Sequence, residues 1–243
     1  MDVEKERLSG NFLMPNWVAT EHHARFRFVS RYTKGKVVVD CACGNGEGTD
    51  VFSVGSVSTR GFDVSEEAIA EAKQKCKNPV ASFTLASGTK LPLHENFAEV
   101  YISLETIEHI DEDEAFLEEV SRVLKPGGTF ICSTPNRNVT NPGKAINDKP
   151  ANVFHVREYS EQEFIALLKK YFSKVELYGQ NRNALWKVKA LATLGKYLPF
   201  HLAVRMHQAF KLAAHYLRPV SYYELEKCES GIIHEYVTAV CVK

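Results

Sequence analysis

One stretch near the start of the chain limits its possible folds most: an apolar run that ends in an acid and a glycine-rich loop. Residues 37–39 are three valines without polar alternation, which is typical of a strand buried on both faces of a parallel sheet. Asp40 follows, and glycine then occupies every second position from Gly44 to Gly48. Glycine permits a tight turn and a close approach of the backbone to a ligand. The stretch therefore predicts an α/β fold with a ligand site at the carboxyl end of this strand.

Composition and charge narrow the class of protein. The chain has 243 residues, of which 44% are hydrophobic and 25% charged, so we expect one soluble domain over residues 1–243. The formal net charge is zero, and we therefore expect no nucleic-acid partner. The chain contains no apolar run of membrane-spanning length, and its charged start lacks a signal-peptide core, which favours a cytoplasmic location. Its six cysteines are expected to be free thiols, and no metal site is expected from their spacing.

The loop sequence separates several kinds of nucleotide site. It reads A-C-G-N-G-E-G, which is neither the G-x-G-x-x-G of dinucleotide folds nor a P-loop, since no G-K-[ST] follows. The stretch resembles motif I of the class I S-adenosylmethionine-dependent methyltransferases, usually V-L-D-x-G-C-G-x-G. It departs from that motif at Ala42, where glycine is usual. The resemblance implies S-adenosyl-L-methionine as cofactor, with S-adenosyl-L-homocysteine as product, and cofactor contacts by Asp40, Ala42, Gly44 and Gly46. Taken alone, the loop would also fit an ordinary buried strand and turn.

A second acid follows the loop at a sequence spacing that indicates its function. Within residues 58–65 the sequence predicts a second strand that ends in Asp63, roughly twenty residues after the loop. This is the spacing at which an acid receives ribose hydroxyls in nucleotide-binding α/β folds. A carboxylate suits the task because it accepts from both hydroxyls at once. The resemblance adds the neighbouring Val64 to the cofactor contacts, and Ser65 is a natural N-cap for the next helix.

The third and fourth strands complete the expected cofactor set. Residues 80–85 form a third strand, followed by a segment similar to the family's G-D-A-x-x-L-P-F, whose acid contacts the adenine amine. Here that position is Ser87, which accepts a hydrogen bond without a charge, and Gly88 follows. The fourth strand, residues 97–103, ends at Ser103 and is followed by Leu104. The resemblance assigns all four residues to the cofactor site.

Later signatures extend the resemblance over residues 35–180 and the last strand. They are the E-H of residues 108–109 and the L-K-P-G-G of residues 124–128. The implied fold is a Rossmann-like seven-stranded sheet of order 3-2-1-4-5-7-6. Only the seventh strand is antiparallel, and helices cover both faces. Residues 1–34 are expected to form a helical cover before the first strand, and residues 181–230 a helical insertion before the last.

Two histidines are the candidate catalytic residues. Methyl transfer to an oxygen requires removal of its proton, and a histidine is suited to that task. His155 ends a proline-containing loop that should border the acceptor, and His109 belongs to the E-H signature. Packing at a helix entry and a structural hydrogen bond are the respective alternatives. The segments L-S-G-N-F-L-M-P and F-H-V-R-E-Y-S look like those of sugar and glycan methyltransferases. They favour O-methylation of a small molecule, such as a sugar or nucleotide-linked sugar. Methylation of nitrogen, carbon or a quinone-like lipid, and a non-catalytic nucleotide-binding module, remain open.

The insertion has an unusual charge pattern. From Leu177 to Tyr223 the sequence contains no Asp or Glu, while several Lys and Arg residues occur there. Cations near a cleft attract anions, which predicts an acceptor that carries phosphate. Two packed helices with a solvated basic face are an alternative, and contact with an anionic membrane surface is a less favoured one. The oligomeric state is left open. The cations proposed to lie near the acceptor are Arg182, Lys187, Lys189 and Arg205.

Overall fold

The computed structural model describes residues 16–184 and 223–243. Helices and strands alternate along most of the chain, as the spacing of apolar runs and turn residues predicts. The helices are α1 (Asn16–Ser30), α2 (Glu47–Ser53), α3 (Glu66–Lys75), α4 (Asp113–Val123), α5 (Arg137–Thr140) and α6 (Glu161–Leu168). The strands are β1 (Val37–Cys41), β2 (Ser58–Asp63), β3 (Ala81–Leu85), β4 (Ala98–Leu104), β5 (Leu124–Pro135), β6 (Lys174–Ala184), β7 (Glu226–Lys227) and β8 (Ile232–Val242).

All the described strands belong to one sheet of order β3-β2-β1-β4-β5-β8-β6-β7. The pairs from β3 to β5 are parallel, and β8 runs antiparallel to both β5 and β6. Since β8 takes the place of the predicted seventh strand and β6 that of the sixth, the predicted order 3-2-1-4-5-7-6 with an antiparallel last strand is confirmed. The two-residue β7 is an addition at the edge. It pairs with Tyr178 and Gly179 of β6.

Helices cover both faces of the sheet, as predicted. On one face, Phe26 and Val29 of α1 and Phe52 of α2 pack against alternate residues of β1, β4 and β5. On the other face, Phe116 of α4 and Phe164 of α6 pack against the residues in between. Because side chains alternate along each strand, the buried runs of β1 and β4 contribute to both cores. This two-sided burial places the sheet in the centre and leaves its carboxyl edge for ligands.

The segments that border this edge have defined local structure. A 3₁₀ turn, Ile107–His109, follows β4, and α5 lies within the predicted long loop after β5. A capping box stands at the start of α6. Ser160 accepts from the N–H of Glu163, whose carboxylate accepts from the N–H of Ser160. The predicted N-cap of α3 is also present, with Ser65 accepting from the N–H of Ala68.

Parts of two predicted segments lie outside the described residues. Of the predicted cover over residues 1–34, α1 is present, and residues 1–15 are not described. Of the predicted helical insertion over residues 181–230, residues 185–222 are not described. The predicted membrane contact of the insertion falls within that range as well. Among the described helices, none has both the length and the apolar character needed to cross a membrane.

Candidate active site

The glycine loop after β1 has the conformation that its sequence predicts. The backbone is left-handed at Gly44 (φ 53°) and at Gly46 (φ 81°), which immediately precedes α2. A Cβ on Gly46 would lie 2.8 Å from the Cβ of Ala72, so α3 packs directly against the loop. A Cβ on Gly44, in contrast, would meet nothing within 4 Å. The loop is therefore packed against α3 at Gly46 and has open space beside Gly44.

Ala42 is also left-handed, with φ 61°. This is the position where the family motif usually has glycine. An alanine in this conformation brings its Cβ too close to the following carbonyl oxygen, at a cost of roughly 1–2 kcal/mol. The departure from the motif therefore leaves the shape of the loop unchanged and introduces local backbone strain.

Asp40 is a buried acid at the end of β1. Its Oδ2 accepts a hydrogen bond from Oγ1 of Thr49 over 2.5 Å, which ties the strand to α2. Burial raises the pKa of Asp40 to about 7, the neighbouring Asp63 contributes in the same direction, and the Thr49 hydroxyl opposes the change. A ligand ammonium near this carboxyl group would favour its charged form. Asp40 is therefore suited to recognise a cation.

Asp63 connects the ends of β1 and β2. Its Oδ2 accepts from the N–H of Gly44 and its Oδ1 from the N–H of Ser65, each over 2.9 Å. A carboxylate has about four acceptor positions, so each oxygen retains capacity for a ribose hydroxyl. The neighbouring Val64 is 67% exposed, which is unusual for a branched apolar side chain beside a buried acid. Asp63 and Val64 together offer a hydroxyl-binding carboxylate and an apolar surface.

The residues after β3 and β4 meet the same edge in different ways. Ser87 is exposed, and its hydroxyl lies 2.9 Å from that of Thr89. Gly88 packs closely on β1, because a Cβ there would lie 2.8 Å from Sγ of Cys41. Ser103 is buried, and its Oγ has no hydrogen-bond partner among the described residues. Leu104 is half-buried beside it. An ammonium partner at Asp40, a hydroxyl partner at Asp63 and an unpaired hydroxyl at Ser103 fit the functional groups of S-adenosylmethionine.

The two candidate catalytic histidines are brought together. The rings of His109 and His155 meet edge to face with 4.8 Å between their centroids. Glu108 joins them, since one ligand atom of each of the three residues lies within 4.8 Å of the others. Glu108 accepts from the Thr134 hydroxyl over 3.0 Å. Burial raises the pKa of Glu108 well above its ordinary value, and the nearby Glu105 raises it further.

Hydrogen bonds to both ring nitrogens hold His155. Its Nδ1 lies 2.7 Å from Oε1 of Glu158, and its Nε2 lies 2.9 Å from Nδ2 of Asn152. Because the Asn152 amide donates, Nε2 is the acceptor and Nδ1 carries the proton. Burial opposes ionisation of Glu158, but hydrogen bonds from His155 and Thr140 outweigh it and lower the pKa of Glu158. To act as a base through Nε2, His155 would have to release the Asn152 amide.

Sequence reasoning missed a group of buried polar residues on the α1 side of the sheet, which we call the α1–β6 polar cluster. In it, Arg25 donates to Oε1 of Gln180 over 2.5 Å, and Asn181 donates to Oε1 of Glu21 over 2.6 Å. The guanidinium of Arg25 lies 5.0 Å from the centroid of the Tyr236 ring. The members are Glu21 and Arg25 of α1, Gln180 and Asn181 of β6, and Glu235 and Tyr236 of β8.

Two features mark this cluster as more than a packed core. Arg25 Nε and Asn181 Oδ1 are buried without a partner among the described residues, and Asn181 has a left-handed φ of 59°. Strained backbone and unpaired buried polar atoms concentrate at functional sites. Burial raises the pKa of Tyr236 well above its ordinary value, and Glu235, Glu21 and Glu105 add to the effect. Glu105, the residue after β4, therefore lies close enough to influence both this cluster and Glu108.

Comparisons with known proteins agree with this geometry. A family model described as a methyltransferase domain matches residues 39–132. A protein of Mycolicibacterium smegmatis named as a probable S-adenosylmethionine-dependent methyltransferase is 30% identical over 171 residues, which are 70% of this chain and 65% of the relative. The ubiquinone/menaquinone biosynthesis C-methyltransferase of Caulobacter vibrioides is 31% identical over 119 residues, which are 44% of this chain and 47% of that protein.

A solved structure extends the agreement to the fold. It is an S-adenosylmethionine-dependent methyltransferase of Thermotoga maritima, described as a possible histamine N-methyltransferase. It superposes with a TM-score of 0.63 at 16% identity, covering 94% of this chain and 93% of the other. Residues 39–132 therefore form a methyltransferase domain, and the fold is that of the class I S-adenosylmethionine-dependent methyltransferases. S-adenosylmethionine is accordingly the cofactor of this methyltransferase domain, as predicted.

The similarity to relatives is concentrated in part of the chain. The chain spans 65% of the Mycolicibacterium relative's length and 47% of the Caulobacter enzyme's length. The matched family model, residues 39–132, contains the glycine loop, Asp63, Ser87 and the turn with His109. It ends before His155, and the α1–β6 polar cluster also lies outside it. The roles of individual residues in binding the cofactor or the acceptor stay predictions.

Proposed function

We propose that this protein transfers the methyl group of S-adenosylmethionine to a hydroxyl group of a small, polar acceptor such as a sugar. The cofactor supplies a methyl group already activated on a sulfonium. The protein's own task is to align the acceptor and to remove a proton. The observation that carries the proposal is the α1–β6 polar cluster, whose side chains suit an acceptor with several hydroxyl groups.

The chemistry of the cluster favours hydroxyls over an apolar ring. Its unpaired atoms are one donor, Arg25 Nε, and one acceptor, Asn181 Oδ1. A hydroxyl group donates and accepts, so a polyol would satisfy both atoms, whereas a quinone-like ring would leave one unpaired. Glu105 directly follows the predicted cofactor residues Ser103 and Leu104, and it is close enough to Tyr236 of this cluster to raise the pKa of that residue. An acceptor bound at the cluster would therefore sit beside the end of β4.

Two kinds of described residue, histidine and glutamate, are candidates for the base that removes the proton of the acceptor hydroxyl. His155 and His109 remain the predicted bases, with Glu158 orienting His155. Glu105 is a further candidate, because it follows β4 directly, has a left-handed φ of 50° and is held by a 2.6 Å hydrogen bond from the Ser133 hydroxyl. A carboxylate on this position would accept the proton of an acceptor hydroxyl as the methyl group is transferred.

A phosphate on the acceptor stays a separate part of the proposal. Arg182, the one proposed phosphate partner within the described residues, is exposed and lies 3.5 Å from Oε1 of Glu226. Lys187, Lys189 and Arg205 lie outside the described residues. Glu235, Glu21 and Glu105 raise the pKa of Tyr236, and Arg25 opposes them. These charges favour a neutral polyol at the cluster, and a phosphate would have to lie towards the insertion.

A panel of acceptors tests the proposal. The full chain is incubated with S-adenosylmethionine and with free sugars, nucleotide sugars, amines or reduced quinone analogues, and S-adenosylhomocysteine release is measured. We expect turnover with sugar-type acceptors, and mass spectrometry should place the added methyl group on oxygen. Arg25→Gln should raise the KM for the acceptor at least tenfold, whereas Arg31→Gln, at an exposed position directly after α1, should not. Turnover only with amines or quinols would contradict the proposal.

Carbon methylation of a quinone-like ring is the second candidate. The similarity to the Caulobacter C-methyltransferase supports it, although that similarity covers less than half of either chain. The two candidates give different products, since the added methyl group lies on oxygen in a sugar methyl ether and on a ring carbon in a C-methylated quinol, which NMR distinguishes. If activity depends on nucleotide sugars and falls steeply with salt, the phosphate-bearing acceptor is supported.

A further inference from the structure

A second group of potential metal ligands lies at the edge of the sheet, away from the histidine pair. It consists of Glu161, the first residue of α6, Cys228, which follows β7, and His234 of β8. One ligand atom of each residue lies within 4.8 Å of the others. We call these three residues the edge cluster. It shares no residue with the predicted cofactor or acceptor sites.

The His234 ring is oriented as in many metal sites. Its Nε2 lies 3.0 Å from Oε1 of Glu226, so this nitrogen carries the proton that the carboxylate accepts. The lone pair of Nδ1 then points towards Sγ of Cys228, 3.8 Å away. A carboxylate that fixes the tautomer of a histidine in this way is the usual outer partner of a metal-bound imidazole.

The backbone makes room for this ring. His234 is only 1% exposed, and a Cβ on Gly179 would lie 1.9 Å from its Cγ. A glycine at position 179 is therefore required for the ring to lie across β6. Any other residue would displace the imidazole from Cys228.

Glu161 is held in place by a neutral partner. Its Oε1 accepts from Nδ2 of Asn136 over 3.0 Å, and the same amide group donates to the carbonyl of His234 over 2.9 Å. Among the described residues, no lysine or arginine pairs with Glu161. Its second oxygen retains capacity to bind an ion, and each of the potential ligands Glu161 and His234 already has a partner that orients it.

We propose that Glu161, Cys228 and His234 bind a zinc ion. Thiolate, imidazole and carboxylate are the ligands that Zn²⁺ prefers, and a water molecule or a second carboxylate oxygen would complete four-coordination. Zinc binding requires the thiolate, so Cys228 would release its proton when the ion binds. The ion would tie the β7–β8 hairpin to α6 at the point where the chain returns from residues 185–222. Its role would be structural, and it would secure the border of the proposed acceptor site.

The site was not expected from the sequence for a physical reason. Its ligands come from three separate elements, and no short ligand spacing such as C-x-x-C or H-x-x-x-H connects them. Only the pairing of β8 with β6, and the packing of α6 on the sheet, bring them together.

Metal analysis of the full chain tests the proposal. Protein purified without chelator is dialysed against zinc sulfate and then against metal-free buffer, and its zinc content is measured by mass spectrometry. We expect about one zinc ion per chain, and removal by a chelator should lower the Tm. Cys228→Ser should weaken zinc binding at least 100-fold, and Glu226→Gln about 10- to 100-fold. Cys76→Ser is the matched control, because Cys76 is half-buried, bonds to Asp50 and lies outside the cluster.

The outcomes distinguish this site from the histidine pair. In cobalt-substituted protein, a thiolate-to-cobalt charge-transfer band that is absent from Cys228→Ser would support the assignment directly. Equal zinc binding by wild type and Cys228→Ser would overturn it, as would a wild-type protein that retains no zinc and shows no change in Tm with zinc. Loss of zinc in His109→Ala but not in Cys228→Ser would place the ion at Glu108, His109 and His155 instead.

Discussion

Asp63 accepts the backbone N–H of Gly44 through Oδ2 over 2.9 Å, so the acid at the end of β2 holds the loop that follows β1. The two strongest elements of the predicted cofactor site are therefore coupled within the protein itself. A substitution of Asp63 acts on the shape of the loop as well as on the ligand. Experiments on this residue must separate the two effects.

Asp63→Ala should weaken S-adenosylhomocysteine binding by about 2–3 kcal/mol, because it removes a charged acceptor of two ribose hydroxyls. Calorimetry on the full chain measures the loss. Asp63→Asn is the informative companion, since its amide oxygen can still accept from the N–H of Gly44 or Ser65 while the charge is gone. We expect it to retain more stability than Asp63→Ala and to lose most of the affinity. Unchanged affinity in both variants would refute the assignment to the ribose.

Ala42→Gly should raise the stability of the protein. Glycine adopts the left-handed φ of 61° without steric cost, which removes about 1–2 kcal/mol of strain, and it adds about 0.4–1 kcal/mol of chain entropy to the unfolded state. The net gain should be about 0 to 1.6 kcal/mol, and each kcal/mol should raise the Tm by about 2–4 °C for a chain of this size.

Thermal unfolding of Ala42→Gly beside Ala151→Gly provides the comparison. Ala151 is exposed, and its φ is not in the left-handed region, so glycine there should only destabilise. A lower Tm for Ala42→Gly than for wild type would show that the strain at this position is smaller than the entropy cost.

The parts of the fold that could be predicted are those specified by neighbouring residues. The buried valines of β1, the left-handed glycines and the caps at Ser65 and Ser160 each depend on a few consecutive positions, and all are present. The strand order followed from the family resemblance, because the motifs occur in a fixed sequence. Boundaries were less accurate. The L-K-P-G-G signature at residues 124–128 belongs to β5, since Leu124 already pairs with Ala98 across a register shift.

The parts that could not be predicted depend on contacts between distant segments. Glu21 and Arg25 look like solvated residues of an amphipathic helix, and only β6 and β8 reveal them as buried. The sequence offers one signal: Gln180 and Asn181 are consecutive polar residues that follow the partly apolar first half of β6. The engagement of both His155 nitrogens could not be foreseen either, because it requires the positions of Asn152 and Glu158.

A comparison of two variants should identify the proton acceptor. If His155 is the base, His155→Ala should lower turnover about 100-fold or more and leave S-adenosylhomocysteine affinity unchanged. If Glu105 is the base, Glu105→Gln should produce that loss, and His155→Ala should have a small effect. Stopped-flow or steady-state kinetics with the acceptor found in the panel would measure both.

Asn152→Ala is the control for the histidine. It frees Nε2 of His155 without removing the ring. If His155 is the base, turnover should not fall in this variant. If the role of His155 is purely structural, the free energy of unfolding should fall. Wild-type turnover in both His155→Ala and Glu105→Gln would exclude both residues and leave His109 as the remaining candidate base.

The pKa of Asp40 predicts how the protein responds to pH. Burial raises this pKa to about 7, above the value of about 4 expected in the unfolded chain. The folded protein without cofactor therefore binds a proton at Asp40 that the unfolded chain has lost between pH 4 and 7. The stability that Asp40 contributes is fully present below about pH 4 and is lost as the pH rises through about 7. Asp40→Asn should remove this part of the pH dependence.

Cofactor binding should show the opposite trend, because an ammonium group beside Asp40 favours the charged carboxylate. We expect the affinity for S-adenosylhomocysteine to rise by up to about tenfold per pH unit as the pH approaches 7, and to level off above it. Calorimetry at pH 6 in buffers of different ionisation enthalpy should reveal a proton released on binding. Thr49→Val removes the hydrogen bond that opposes the raised pKa, so the midpoint should move to higher pH. An affinity that is independent of pH in wild type and equal in Asp40→Asn would show that Asp40 does not meet the ammonium group.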